Sequence, residues 1–474
     1  MKIARNLSIA LILFISFVHL ISITGCANII PPSGGPRDSL PPRLISVAPR
    51  DSATNFNAKT ITLNFDEYVD IDNAQQNIII SPAPKYNPII DRKLRTVTIK
   101  IKDTLQPNTT YLFDFGKAIK DVNEGNVLKN FSYVFTTGEH LDSLTMSGNV
   151  VIAESGKVDS TLIVMLHKNL DDSAVVNERP RYVTRVDTAG RFRFKFLAPG
   201  TYNLYALKDE GGTRRYLSKS SLFAFNDKPI VIQQANEPVT LYAYTEKEEV
   251  KKPAAKTTSK KEEKEKRLIV EANLSNNQLD LLGNLDIKFQ TKLKTFDSTK
   301  VHFKDGKFDD IASYQLTRDT SNKLITISTK WIPDSAYHLI LEKDFAEDSS
   351  GRKLLKADTI NFRTKKESDY GIIRLRFRNL DVTKNPVLQF VQSNVVKLSY
   401  PLTTNQFNKK LFPPGDYDLR ILYDDNQNGI WDAGEFFGKH KEPEKVVPII
   451  IPLRNKKRVF TIKASWENEY DFTL

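Results

Sequence analysis

The chain has 474 residues, with 69 lysines and arginines against 57 aspartates and glutamates and a formal net charge of +12. Its single cysteine excludes a disulfide within the chain, and with it a fold stapled by such bonds. The basic excess is spread along the sequence with acidic residues interleaved. Such a surface is either plainly solvated or favours anionic partners such as lipid headgroups and acidic glycans. No nucleic-acid recognition motif accompanies it.

The first residues read as an export signal. Lys2 and Arg5 precede an apolar run from about Leu7 to Ile23, the charge-then-apolar pattern of a secretory signal. Without Lys2 and Arg5 the charge falls from +12 to +10. No later stretch approaches the roughly 20 apolar residues of a membrane span. The run ends in Ile23-Thr24-Gly25-Cys26, which resembles the bacterial lipobox. The resemblance implies cleavage at residues 1–25, an acylated Cys26 carrying palmitate-type chains, and a permanent membrane anchor, because two or more chains hold stably. A plain signal anchor with an incidental cysteine is the alternative. No acidic cluster follows Cys26, where the chain reads Ala27-Asn28-Ile29-Ile30. That favours an outer-membrane position facing the periplasm over one exposed at the surface.

Residues 26–41 are rich in Pro, Gly and Ser and read as an extended tether. Alternating strands follow, such as Thr60-Ile-Thr-Leu-Asn-Phe65 and Thr96-Val-Thr-Ile-Lys-Ile101. Period two puts one face inward and one outward. Short strands between Gly, Pro, Asn and Asp turns indicate β-sandwiches. A charged stretch, 246–267, has too few apolar residues for a core and reads as a solvated linker.

The segments on either side of that linker repeat one another. Tyr111-Leu-Phe-Asp-Phe, Asp121-Val-Asn-Glu-Gly125 and Phe135-Thr-Thr have counterparts in Tyr337-His-Leu-Ile-Leu, Asp348-Ser-Ser-Gly351 and Phe362-Arg-Thr. Farther on, Pro199-Gly200-Thr-Tyr202-Asn-Leu204 is answered by Pro414-Gly415-Asp-Tyr417-Asp-Leu419. Pro fixes φ and Gly supplies a positive one, so each Pro-Gly pair reverses the chain. The expected fold is all-β, an A-B-linker-A′-B′ repeat with A at 42–138, B at 139–245, A′ at 268–366 and B′ at 367–474.

A and A′ resemble the bacterial Ig-like domain of S-layer-type surface proteins, on Thr62-Leu-Asn-Phe65, Leu105-Gln-Pro107-Asn-Thr-Thr-Tyr111 and Phe135-Thr-Thr. A′ lacks the opening proline motif and the Asn after Gly351. B and B′ resemble transthyretin-like, carboxypeptidase-regulatory-like sandwiches, on Leu197-Ala-Pro-Gly-Thr-Tyr-Asn-Leu204 and its B′ counterpart, where Phe412 replaces the leading Leu. These resemblances imply tandem Ig-like and transthyretin-like sandwiches with a binding, spacing or assembly role.

One loop carries a ligand pattern. Asp424-Asp-Asn-Gln-Asn-Gly-Ile-Trp-Asp-Ala-Gly-Glu435 fits D-x-[DN]-x-[DN]-G-x5-E. Asp424, Asn426 and Asn428 would offer side-chain oxygens, Ile430 its carbonyl, Asp432 a direct or water-bridged contact, and Glu435 a bidentate carboxylate to a structural calcium. Its flanks, Asp418–Tyr423 and Phe436-Phe437-Gly438, read as strands rather than EF-hand helices, so the loop is expected to close a hairpin. An Asx-rich turn capping its own backbone is the alternative. Asp-Ser/Thr-aliphatic triplets recur and resemble a bacterial O-glycosylation acceptor, with Ser39 and Ser52 near the tether as the candidates; turn-forming Asp-Ser pairs are the alternative. No catalytic residues are assigned: G-x-S-x-G, H-E-x-x-H and P-loop motifs are missing, and the histidines have no ligand spacing. The expected function is a non-catalytic, membrane-anchored envelope lipoprotein that binds or scaffolds an envelope protein or glycan and requires no cofactor. An adhesion or carbohydrate-binding protein and a hydrolase or hydrolase accessory are the rival readings.

Overall fold

The computed structural model describes residues 37–233, 236–246, 267–451 and 459–474. Cys26 and the greater part of both the tether and the charged linker lie outside the described residues. By their contacts the described residues gather into two compact units. One holds 37–79, 84–108 and 112–139; the other holds 80–83, 109–111 and the described residues from 140 to 474.

In the first unit, an antiparallel sheet runs Leu44–Ala48, Thr60–Phe65, Thr96–Lys100, Ile89–Lys93 in spatial order. The period-two pattern sets its faces: Ile61, Leu63, Val97 and Ile99 are fully buried, while the threonines between them are not. Phe56 stacks on Phe135 at 3.8 Å, and Phe113 lies 6.0 Å from the same ring. A′, in the second unit, repeats this order with Val270–Ala272, Leu285–Phe289, Leu324–Ser328 and Gln315–Arg318. Both regions add a small antiparallel pair: Val69–Ile71 with Ile119–Asp121, and Leu293–Phe296 with Ala346–Asp348.

Each small pair ends in the repeated aspartate. Asp121 is buried and accepts hydrogen bonds from the backbone of Glu124, Gly125 and Asn126 at 2.6, 2.9 and 2.7 Å. Asp348 is equally buried and accepts from the backbone of Ser350 and Arg352 and from Arg352 Nε at 2.7 Å. Gly125 and Gly351 sit at φ +77° and +79°, the left-handed conformation that lets each loop curl around its carboxylate.

B and B′ share one topology strand for strand. In B, Arg191–Leu197, Leu144–Ile152 and Val239–Ala243 form a three-stranded sheet. The facing sheet runs Tyr182–Arg185, Ile163–His167, Gly200–Leu207, Phe223–Phe225, with Ile230–Ile232 also on Gly200–Leu207. B′ answers with Gln406–Phe412, Gly371–Arg378 and Glu467–Thr473, and with Val395–Pro401, Pro386–Gln392, Gly415–Tyr423 and Lys445–Pro448 plus Phe460–Ile462. In both, the first strand pairs with the last in parallel. The repeated tyrosines pack inward and also close the turn before them. Tyr202 Oη donates to the Ala198 carbonyl at 3.1 Å, and Tyr417 Oη to the Pro413 carbonyl at 3.2 Å. Between them, Gly200 and Gly415 take φ +155° and +153°.

Asp121 and Asp348 supply a test. Burial opposes their charge, but the backbone donors outweigh it and hold both below the ordinary carboxylate range. Their contribution is therefore complete above the usual carboxylate pKa and is lost as pH falls through the depressed values. Asp121→Asn and Asp348→Asn should each cost about 1–3 kcal/mol at neutral pH. Thermal melts of variant and parent should converge in acid.

Candidate functional site: the Asp424–Glu444 loop

The loop begins where the strand Gly415–Tyr423 ends, and it returns as Lys445–Pro448, antiparallel to that strand. The hairpin therefore closes through Lys445–Pro448, not through the expected return strand at Phe436-Phe437-Gly438. Asp424 is buried and accepts from the backbone of Asn428 at 3.2 Å and Gly429 at 2.6 Å. Asn426 Oδ1 accepts from Asn428 N, and Asn428 Oδ1 from Ile430 N. Both carboxamides then donate through Nδ2 to Asp432 Oδ2, at 2.5 and 2.7 Å. Asp424, Asn426, Asn428 and Asp432 are thus brought together, while the Ile430 side chain is exposed.

Glu435 is not brought to them. Its backbone bridges to Lys441, and its carboxylate pairs with Lys439 Nζ at 2.8 Å. The closing carboxylate is Glu444, outside the sequence pattern. Glu444 Oε1 accepts from Asp425 N at 3.0 Å and Oε2 from Asp432 N at 2.9 Å, while its carbonyl takes the Trp431 indole N–H. Burial raises the Glu444 pKa, and the neighbouring Asp424 and Asp432 add to the rise. Among the described residues, no group of three or more His, Cys, Asp or Glu side chains converges to hold a metal. As arranged, its two Asn side chains turn N–H donors toward Asp432 and Glu435 pairs with Lys439, so the loop caps its own backbone in the manner of an Asx-rich turn.

What the loop does is dock. Phe436 and Phe437 do not continue a strand; the apolar pair sits on the Glu435–Lys441 turn and anchors it. Phe436 is 1% exposed, with ring centroids 5.0 Å from Phe225, 5.3 Å from Phe223 and 5.6 Å from Tyr205. These three rings lie on B, so B′ covers the outer face of the five-stranded sheet of B. Phe437 packs 4.8 Å from Phe436 and 6.3 Å from Tyr216. His440 Nε2 meets Asp172 Oδ2 at 2.6 Å at the rim. Farther along, Val446 N donates to the Ala153 carbonyl, Arg420 Nη1 to the Glu154 carbonyl, and Lys157 Nζ to Asn394 Oδ1. A Cβ on Gly434 would lie 2.7 Å from the Tyr244 ring and from the Lys441 carbonyl, so this position admits only glycine.

Other polar groups line this seat. His167 is buried edge-on to Tyr205, and burial pushes its pKa down to about 4. Tyr216 Oη, Tyr244 Oη and Glu246 Oε1 are buried without a hydrogen-bond partner, while Glu246 Oε2 pairs with Lys219 at 2.9 Å. Burial first, and then the Glu246 charge, raises both tyrosines well above their ordinary range. The glycosylation candidates belong to the first unit. Ser39 and Ser52 are exposed, and Ser52 Oγ contacts Asp51 at 3.3 Å. The sequence pattern missed Phe436, His440 and Glu444. The Phe-Phe pair beside a Gly was the available signal.

Residues 38–137 match the family model of the bacterial Ig-like domain, so this region is an Ig-like domain within an all-β chain of tandem sandwiches. The comparison with curated proteins gave no match. Among solved structures, the chain is similar to the Bacillus anthracis TIE protein at 11% identity, over 94% of this chain and 76% of that one, with a TM-score of 0.16. It is also similar to the S-layer protein rSbsC at 13% identity, over 88% of this chain and 55% of that one, with a TM-score of 0.15. A third is BcpA, the major pilin subunit of Bacillus cereus, at 11% identity over 69% and 99%, with a TM-score of 0.14. Likenesses at this level say nothing about ligand or activity.

Phe436→Ala should cost about 3–5 kcal/mol, the range for a buried phenylalanine, and should expose the 424–444 loop to limited proteolysis. His440→Ala, at the rim, should cost much less. Isothermal titration of calcium into the full chain should give no saturable heat; heat that Glu435→Gln abolishes would restore the cation reading.

Proposed function

We propose that this chain is a non-catalytic cell-envelope module, held to a membrane by lipid on Cys26, whose B and B′ sandwiches form a preassembled pair that binds or spaces other envelope components. The supporting observation is the Phe436 seat. The segment with the strongest ligand-like pattern is used to fasten one sandwich to another. The aspartates of the repeated turns are likewise spent on their own loops. B and B′ as transthyretin-like sandwiches belong to this reading, supported by the matched Tyr202 and Tyr417 closures. Among the described residues no helix is long and apolar enough to cross a membrane, which is compatible with a lipid tether.

Palmitate labelling of cells that express the chain or its Cys26→Ser variant tests the anchor. Label should appear only with Cys26, and the variant should leave the membrane fraction. Protease added to intact cells should spare the body if it faces the periplasm. Digestion there would reverse the orientation.

A further inference from the structure

The matching five-stranded sheets of B and B′ each end in an edge strand, Tyr182–Arg185 in B and Val395–Pro401 in B′. In B that edge is met. Ser81 Oγ donates to the Val183 carbonyl at 3.1 Å and accepts from Val183 N at 3.0 Å, and Ala83 N donates to the Arg181 carbonyl at 3.1 Å. Residues 80–83 belong to the same compact unit as B. They answer the backbone groups that a last strand otherwise leaves without a neighbour.

The register identifies the same groups in B′. Val183 pairs with Met165 and Met165 with Tyr205, while Ser399 pairs with Gln389 and Gln389 with Arg420. Tyr205 and Arg420 stand at the same offset from the matched Tyr202 and Tyr417, so Ser399 is the counterpart of Val183. Leu402 N donates to the carbonyl of Pro386, directly opposite. By the alternation of an antiparallel ladder, Tyr400 and Leu398 then bond inward, and Ser399 between them turns its N–H and carbonyl to the open side. No backbone group among the described residues bonds to them there. The B′ edge is also longer, seven residues against four, and Val395 and Val396 on it are exposed. Its charge has one sign: residues 393–412 hold Lys397, Lys409 and Lys410 and no Asp or Glu. Lys409 Nζ reaches Tyr400 Oη at 3.0 Å, which brings its charge to the strand.

We propose that the edge strand Val395–Pro401 takes an extended, acidic segment of a partner protein as an added strand. Such a segment supplies the main-chain donor and acceptor that Ser399 lacks, and its carboxylates pair with Lys397. A second copy of this chain would instead set one lysine-bearing edge against another, and Pro401 has no N–H to offer it. The site rests on the binding reading above, and its test is independent of the lipid anchor, so either can fail alone.

The test is titration of the full chain with a fluorescently labelled decapeptide of alternating valine and glutamate, read by anisotropy, beside the matching decapeptide of valine and lysine. The acidic peptide should bind saturably at one site and slow hydrogen exchange in 395–401, and the basic one should not bind. Lys397→Glu should weaken binding about fivefold, the loss of one exposed ion pair. Ser399→Pro removes the outward N–H at an edge position where proline is tolerated and leaves the charge unchanged, so it should abolish binding. Melts without peptide separate lost binding from lost folding, and Lys397→Glu decides if Ser399→Pro does not fold. No saturable binding, equal binding of the basic peptide, or binding that survives Ser399→Pro in a folded chain would overturn the site.

Discussion

The burial of one phenylalanine ring against three others organises the second unit. B and B′ are separated in sequence by all of A′, and their association has to offset the loss of freedom of everything between them. Phe436 contributes an apolar core to that contact, and Phe437, Tyr216 and Tyr205 extend it. Polar pairs such as His440–Asp172 and Arg420–Glu154 surround it and fix its register. The arrangement follows the general anatomy of stable interfaces, with aromatic anchors inside and polar groups at the rim.

Around this contact, the carboxylates do structural work. Asp121, Asp348, Asp424 and Glu444 each gather backbone N–H groups that a turn would otherwise leave unmet. A buried carboxylate tolerates its desolvation when two or three such donors point at it, and the loop then has one shape. For Glu444 the balance tips the other way, because its burial outweighs the backbone donors and the neighbouring Asp424 and Asp432 add to it.

Much of the fold was legible because its signals are local. Ile61, Leu63 and Phe65 alternate within a single strand, and Pro-Gly-x-Tyr encodes both a reversal and the ring that closes it. The repeat of A in A′ and of B in B′ could be read from matched turns, since turn chemistry depends on a few adjacent residues. Contacts distant in sequence could not be read this way. Asp424 to Asp432 do form the tight loop their spacing suggests, yet Glu444 closes it instead of Glu435, because the Phe436 anchor pulls residues 435–441 onto B. Phe436 and Phe437 look like strand residues until the surface they meet is known.

The parallel pairing of first and last strands in B and B′ has a mechanical consequence. A body tethered at one end and gripping something at the other is loaded along its chain. Tension that enters a sandwich through its first strand and leaves through its last pulls two parallel neighbours in opposite directions along their length. The hydrogen bonds of the ladder then bear the load together in shear, and none can be peeled open ahead of the rest. In B′ the register extends from Ile372 opposite Glu467 to Arg378 opposite Thr473, and the same two strands are cross-braced by Arg374–Glu467, Arg376–Glu469 and Arg378–Asp471. Exposed pairs of this kind add little to equilibrium stability. Set across a sheared ladder, they would have to break with it, so the fold resists pulling better than its thermodynamic stability alone implies.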